Sequence, residues 1–295
     1  MKNEGRIANI LFNMFFILVS IAVLYPVLLV IGISVSDESA ILENGYRVIP
    51  KVFSAESYRF IISGGDSILN AYGITLFTSI TGTILSVIVV SFYAYPLSRK
   101  DFKHKTFFTF FIFFTMLFSG GLVPWYIVCT NILQLQNTIW ALILPYLMNC
   151  WHVIIMRTFF QTTIPDALIE AAKLDGAGEY RIFFKIVWPL SLPGLATVGL
   201  FTILTYWNDW WLPLMLITKS NLVTLQFLLQ KMIANIQLLA DNAKYMSGTT
   251  SSLANLPLEG ARMALCVIAI GPIILAYPFF QKYFIKGLTV GSIKG

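Results

Sequence analysis

Apolar residues run in long stretches along this chain, and shorter polar segments separate them. A stretch of about 18 or more apolar residues can cross the hydrocarbon core of a bilayer as an α-helix. The pattern predicts an all-α polytopic membrane protein in which the whole chain, 1–295, forms one transmembrane domain. The six predicted spans cover approximately 10–34, 70–97, 106–130, 138–160, 190–217 and 258–280.

The polar segments predict how the spans are connected. The stretch 35–69 is rich in charged residues and is expected to form a loop. Residues 218–257 form a second long excursion, in which leucine and isoleucine recur at helical spacing over 222–236 before a flexible segment rich in Ser and Thr. In the third span, 119–124 holds two glycines and a proline. A bilayer permits such a break only where other groups satisfy the backbone, so we expect this one to face the protein interior.

Composition agrees with this pattern. Hydrophobic residues make up 57% of the chain and charged residues 12%, with a mean hydropathy of +0.77, whereas a soluble domain carries about a quarter charged residues. The net charge of +6 does not indicate nucleic-acid binding, because the basic residues are scattered and form no dense patch with aromatics. The three cysteines lack paired spacing, so neither a disulfide framework nor a metal site is predicted.

The placement of basic residues predicts the orientation. Cytoplasmic loops of membrane proteins collect Lys and Arg. With both termini inside, the inner side holds 13 of the 20 basic residues, and its short loops are the more basic ones. We therefore expect a multi-pass protein of the cell membrane with cytoplasmic N- and C-termini. The segment 163–189 and the tail 281–295 then lie in the cytoplasm.

Segment 163–189 is the longest charge-rich stretch of the chain. Thr163 followed by Asp166 has the character of a capping box, and Pro165 suits a first helical turn, so a helix is expected to start there. Gly176 and the glycine two residues later should stop or bend it before a second helix ends at Pro189. The first helix is predicted to place four apolar residues on one face, namely Ile164, Leu168, Ala171 and Ala172, and the second helix carries an apolar stripe of Tyr180, Phe183, Phe184 and Val187.

Two roles fit this helix, bend and helix along the membrane surface. Small Ala171 and Ala172 would let another surface approach closely, while neighbouring charges give that surface something to recognise, which suits docking into a groove of a soluble partner. An amphipathic helix that lies in the interface without a partner fits the same periodicity.

The identity of the residues in this segment resembles a known motif. Glu170-Ala171-Ala172, Asp175-Gly176-Ala177, Phe183, Ile186, Pro189 and Pro193 resemble the EAA loop of ABC-importer permeases, the coupling helix that docks into the ATP-binding subunit. The resemblance implies that 163–189 is a cytoplasmic coupling loop. The coupling residues it implies are Glu170, Ala171, Ala172, Asp175, Gly176 and Ala177.

The resemblance extends along most of the chain. The whole pattern resembles the smaller permease of maltose-type carbohydrate importers, and 116–124 and 287–295 are similar to the subgroup for complex oligosaccharides, although Ile293 stands where that family often has valine. This implies a type I importer permease with Lys294 and Gly295 near the ATPase. The implied partners are a second, non-identical permease, two ATP-binding subunits, an extracellular substrate-binding lipoprotein and an oligosaccharide.

The sequence also bears on catalysis. It contains no G-x-x-x-x-G-K-[ST] motif, so we expect this chain not to be an enzyme and to hold no cofactor of its own. ATP and Mg²⁺ are expected on the partner ATPase subunits.

An aromatic and polar cluster lies in the predicted fifth span. Asp209 is costly in a bilayer, and Trp207, Trp210 and Trp211 are expected on one side of a helix. One interpretation is a lining of the substrate path, because sugars offer C–H faces to aromatic rings and hydroxyls to Asn or Asp. The other is a tryptophan belt at the headgroup level, with Asn208 and Asp209 serving helix packing. The candidate path residues are Tyr206, Trp207, Asn208, Asp209 and Trp210.

Alternative functions stay open at this point. An ABC permease for an amino acid, a peptide or a phosphonate would share the coupling loop. A secondary transporter or channel would transport without ATP, and the chain lacks the internal repeat typical of many secondary transporters. A membrane enzyme is disfavoured, because no clustered nucleophile, acid, base or metal set is present.

Overall fold

The computed structural model describes residues 2–62, 66–245 and 257–271, together with 274 and 278. These parts of the chain are mostly helical, with one isolated β-bridge between Ser36 and Phe53. The α-helices, in chain order, are α1 (Lys2–Ser34), α2 (Glu38–Asn44), α3 (Glu56–Ile62), α4 (Asp66–Ser98), α5 (Lys105–Leu117), α6 (Leu122–Ile127), α7 (Cys150–Thr163), α8 (Asp166–Leu174), α9 (Glu179–Ile182), α10 (Trp188–Leu190), α11 (Leu192–Trp207), α12 (Trp211–Leu216), α13 (Leu225–Tyr245) and α14 (258–271).

By length and composition, two of the described helices can each cross a membrane, Asn9–Ser34 and Ser67–Ser98. Up to five spans result if each of three bent helix pairs counts as one. The pairs are Lys105–Leu117 with Leu122–Ile132 (113°), Ile139–Tyr146 with Cys150–Thr163 (52°), and Glu179–Leu190 with Leu192–Trp207 (78°). Only the first part of the predicted sixth span, 258–280, lies within the continuously described residues.

The bends have local causes. The glycines and proline at 119–124 coincide with the break between α5 and α6, where Gly121 has a φ of 85°. Asn149 starts α7 anew by accepting a hydrogen bond from the Trp151 N–H at 2.8 Å. The backbone of Asn149 is extended, with φ −109° and ψ 128°, so an apolar run that looks continuous in sequence is divided here.

The first compact unit consists of 1–68 and 229–272. The predicted loop over 35–69 contains the helices α2 and α3. Asp37 caps α2, and the carboxylate of Glu38 accepts hydrogen bonds from the N–H groups of Glu259 and Gly260 at 3.0 and 3.1 Å. The polar loop thereby satisfies the first amides of α14.

The second unit contains 69–228. Its main apolar core joins α4, α7 and α11 to the α8–α9 segment, with Val90, Met156 and Val198 fully or almost fully buried. α4 and α11 approach closely at Gly82, where an added Cβ would lie 2.5 Å from Cζ of Tyr206. The core therefore ties the predicted coupling loop to the apolar helices.

Candidate coupling site

α8 begins differently from the sequence prediction. Thr163 is the last residue of α7, and Pro165 occupies the N-cap position of α8 without a side-chain capping bond. The predicted capping box is therefore wrong. Asp166 instead pairs with Lys100, whose Nζ lies 2.7 Å from a carboxylate oxygen, while an Arg99 nitrogen lies at 3.9 Å.

α8 ends in the bend that the glycines predict. Gly176 has a φ of 75°, and its N–H donates to the carbonyl of Lys173 at 3.0 Å. The N–H of Ala177 reaches back to the carbonyl of Ala172 at 2.9 Å. This pair of bonds is a Schellman motif, which satisfies the last carbonyls of the helix and turns the chain sharply. The bend at Gly176 is confirmed.

The two faces of α8 have different surroundings. Ile169 and Ala172 are buried in the main core of the second unit. Leu168 and Leu174 are 40% and 89% exposed, and Ala171 is exposed between them. The predicted single apolar face is therefore wrong, because Ala172 packs inward whereas Leu168 and Ala171 point outward. Glu170, Asp175 and Gly176 are also exposed.

Ion pairs fix the ends of α8 to its neighbours. Nζ of Lys173 lies 2.8 Å from carboxylate oxygens of both Asp101 and Glu179. Glu179 also accepts a hydrogen bond from the hydroxyl of Tyr95 at 2.8 Å. One lysine thus joins the end of α8 to the loop after α4 and to the start of α9. A single exposed ion pair contributes little to stability. A side chain that takes part in two contacts, however, is already restricted in its movement by the first.

The charges of this network persist at neutral pH. The hydrogen bond from Lys173 lowers the pKa of Asp101, and the hydrogen bond from Lys100 lowers the pKa of Asp166. The bonds to Asp101 and Glu179 raise the pKa of Lys173. The carboxylates stabilise the fold until the pH falls through their lowered pKa values. The lysine stabilises it until the pH rises through its raised pKa.

Aromatic packing holds the second half of the loop. The ring of Phe183 stacks on Phe92 with centroids 5.0 Å apart and lies 5.2 Å from Tyr95. Phe183 and Val187 are buried, while Tyr180 and Phe184 are exposed, so the predicted second stripe is divided between two faces. The residues Phe183–Val187 form a π-helical turn before α10.

A cavity of about 520 Å³ lies beside this packing. The end of α4, the following loop and α9 line it, and Arg99, Asp101 and Glu179 contribute its charges. Sequence reasoning missed the part that the loop after α4 plays here, because it assigned the basic residues 99–105 to topology alone. Asp101, the single acid among them, was the available signal.

The cluster at 206–211 is not a continuous helix, so the predicted one-sided placement of its tryptophans is wrong. α11 ends at Trp207 and α12 begins at Trp211. Asp209 is 7% exposed, and one of its oxygens accepts hydrogen bonds from the N–H groups of Trp211 and Leu212 and from the hydroxyl of Tyr146. Asp209 therefore caps α12.

The candidate path residues divide by exposure. Tyr206 is buried and donates a hydrogen bond to the carbonyl of Ile143 at 2.8 Å, and Trp207 is buried beside Tyr72. Asn208 is exposed and Trp210 is 42% exposed. Lys294 and Gly295 lie outside the described residues.

Comparison with known proteins identifies this architecture. Residues 97–290 match the family described as "Binding-protein-dependent transport system inner membrane component", and this range contains the whole α8–α9 segment. The chain belongs to this family. It is therefore a membrane-embedded permease, a component of a transport system rather than a catalytic chain.

The permease is similar to several named proteins over its full length. It is 37% identical to the polygalacturonan/rhamnogalacturonan transport system permease protein YtcP of Bacillus subtilis (strain 168), covering 100% of both chains. It is 29% identical to the arabinooligosaccharides transport system permease protein AraQ of Halalkalibacterium halodurans, covering 100% of this chain and 99% of the relative.

A solved structure confirms the predicted fold class. The permease matches a chain of a bacterial ABC transporter involved in the import of the acidic polysaccharide alginate, with a TM-score of 0.80 and 26% identity. The match covers 95% of this chain and 98% of that chain. The residues of the loop predicted a likeness to ABC-importer permeases, and this prediction is confirmed.

Proposed function

We propose that this permease forms one half of the pore of an ATP-driven importer and that α8 is the element on which the ATP-binding subunits act. The observation that carries the proposal is the division of α8 into a buried inner face and an exposed outer face. Ile169 and Ala172 hold the inner face in the core, and Leu168, Ala171 and Leu174 leave an apolar outer face beside Glu170.

The mechanism follows from the way α8 is attached. ATP-driven closure of the partner subunits displaces α8, and the Lys173 ion pairs carry that displacement to the loop after α4 and to α9. α4, α7 and α11 share a core with α8, so they move with it. The pore then alternates between inward-facing and outward-facing states, with ATP and the loaded binding protein each favouring one state.

The proposed substrate is an oligosaccharide or a polysaccharide fragment. The names of the relatives, which refer to polygalacturonan, rhamnogalacturonan and arabinooligosaccharides, and of the alginate importer support this class. The proposed assembly contains a second, different permease, two ATP-binding subunits and an extracellular binding lipoprotein. The proposed topology has six spans with both termini in the cytoplasm, so that 163–189 lies on the same side of the membrane as the ATPases. Lys294 and Gly295 are proposed to reach the same interface.

The coupling proposal is tested by changing the outer face of α8. Leu174→Asp and Glu170→Lys should abolish ATP-dependent uptake, because a residue central to an interface contributes about 2 kcal/mol, or roughly 30-fold in affinity. The measurements are uptake into cells and retention of the ATPase on membranes that contain the permease.

Matched controls come from α2. Leu42, 70% exposed, and Glu43, also exposed, lie on a helix of the first unit. Leu42→Asp and Glu43→Lys should leave ATPase retention unchanged. Undiminished uptake and retention in both α8 variants would exclude α8 as the docking element.

The path proposal concerns the exposed part of the aromatic cluster. Trp210→Ala and Asn208→Ala should raise the substrate concentration for half-maximal uptake severalfold, because loss of an aromatic face or of an amide hydrogen bond weakens sugar binding while Asp209 still caps α12. Trp151, 57% exposed on α7, supplies the control Trp151→Ala. Equal kinetics in all three variants would assign the cluster to the membrane belt.

A further inference from the structure

An apolar groove runs along α5 where it meets α7. Its volume is about 530 Å³. Four phenylalanines and Leu117 form its wall, while Lys105, Thr106, Thr109 and Arg157 supply its polar groups. The phenylalanines are Phe110, Phe113, Phe114 and Phe118.

The two cations of the groove lack a carboxylate partner among the described residues. Lys105 and Arg157 are half-buried, and neither forms an ion pair there. Nε of Arg157 and the hydroxyl oxygen of Thr109 are buried without a hydrogen-bond partner. Nearby Lys100 and Lys173, by contrast, both pair with acids. Buried donors without acceptors are costly, so the groove is suited to an anion.

The shape of the groove restricts what that anion can be. Lys105 is the first residue of α5, and Phe114 follows nine residues later, which places it about 14 Å further along the helix. Half of the hydrocarbon core is about 15 Å thick. The groove therefore extends from a cationic entrance through about the depth of one leaflet. Its wall of phenyl rings has no hydrogen-bond donor for a small soluble anion.

We propose that an anionic phospholipid occupies this groove, with its phosphate between Lys105 and Arg157 and an acyl chain along the phenylalanines of α5. The hydroxyl of Thr109 donates to the headgroup. The lipid neutralises two like charges that the described part of the chain leaves uncompensated, and it fixes α5 against α7.

The test uses the complete importer in phosphatidylcholine nanodiscs with and without phosphatidylglycerol. Retained lipid is measured by native mass spectrometry. Lys105→Gln and Arg157→Gln should each weaken phosphatidylglycerol retention about fivefold, the effect of one basic group at an anionic membrane surface. Lys105→Arg and Arg157→Lys keep the charge and should retain the lipid. Lys103→Gln removes an exposed charge outside the groove and should also retain it.

A photoactivatable phosphatidylglycerol provides a second measurement on the unsubstituted protein, and its crosslinks should map to α5 and α7. Four results would overturn the proposal. In the first, both neutral variants retain as much phosphatidylglycerol as the unsubstituted protein, and in the second, Lys103→Gln loses as much as the neutral variants do. In the third, inorganic phosphate displaces the lipid, and in the fourth, a carboxylate of the second permease pairs with Arg157 in the assembled importer.

Discussion

Gly176 is the residue on which the shape of the coupling loop depends. Its φ of 75° is a conformation that costs other L-residues about 1–2 kcal/mol, and an added Cβ would meet nothing within 4 Å. The requirement for glycine is therefore conformational and does not arise from crowding. Lys173 of α8 joins the two helices of this loop to the segment after α4, through its ion pairs with Glu179 and Asp101.

Gly176→Ala should destabilise the bend by about 1–2 kcal/mol and reduce ATP-coupled uptake, because alanine disfavours the left-handed backbone. Gly176→Asn should have a smaller effect, since asparagine tolerates this conformation better. The control is Gly178→Ala, where φ is −72° and the space is also open. Uptake and thermal unfolding in detergent measure the effect, and equal behaviour of the two alanine variants would contradict the argument.

At the scale of elements, close packing of α4 against α11 holds the second unit together. Glycine in α4 permits this approach, because the ring of Tyr206 occupies the space of a side chain at Gly82. Tyr206 is itself fixed by its bond to the carbonyl of Ile143. α11, which carries two of the candidate path residues, is therefore positioned against α4 by a small residue facing a large one.

Gly82→Ala should lower the free energy of unfolding by about 1–3 kcal/mol, the usual cost of overpacking a filled core. Gly73→Ala on the same helix is the control, because nothing lies within 4 Å of its added Cβ. Alanine should be neutral or stabilising there, since it favours helix more than glycine does. Thermal unfolding of the purified permease compares the two, and a larger loss in Gly73→Ala would refute the packing argument.

At the scale of the whole molecule, the distribution of charge predicts the orientation in the membrane. The ion pairs of Arg99, Lys100 and Asp101 with α8 belong to the second compact unit, and the polar helices α2 and α3 belong to the first. In the proposed topology, the network lies in the cytoplasm and α2 outside. Cys129 and Cys150 are buried and Cys266 is half-buried, so background labelling of the native thiols should be low.

A membrane-impermeant maleimide tests this orientation. Leu42→Cys should react in intact cells, whereas Lys103→Cys should react only after permeabilisation, because both positions are exposed and the proposed topology puts them on opposite sides of the membrane. The unsubstituted protein measures the background. Reaction of Lys103→Cys in intact cells would reverse the proposed topology.

The sequence by itself determined the membrane class, the segment that we propose as the coupling loop and the bend at Gly176. These features depend on local chemistry: the length of apolar runs, the preference of glycine for a positive φ, and residue identities in a short motif. The all-α class and the likeness to ABC-importer permeases could be predicted for the same reason, and the comparisons confirm both.

The tertiary structure alone decided which side of each element is buried. Ala172 packs inward and Ala171 outward, although both suit a close approach in sequence. Asp101 meets Lys173 across 72 positions, whereas Asp209 caps α12 through a local contact with the N–H of Trp211. The pairing of Asp101 with Lys173 depends on how distant segments pack, and the spacing of residues along a single chain does not encode it. The cationic groove of α5 and α7 arises in the same way, from two segments that appear separate in sequence.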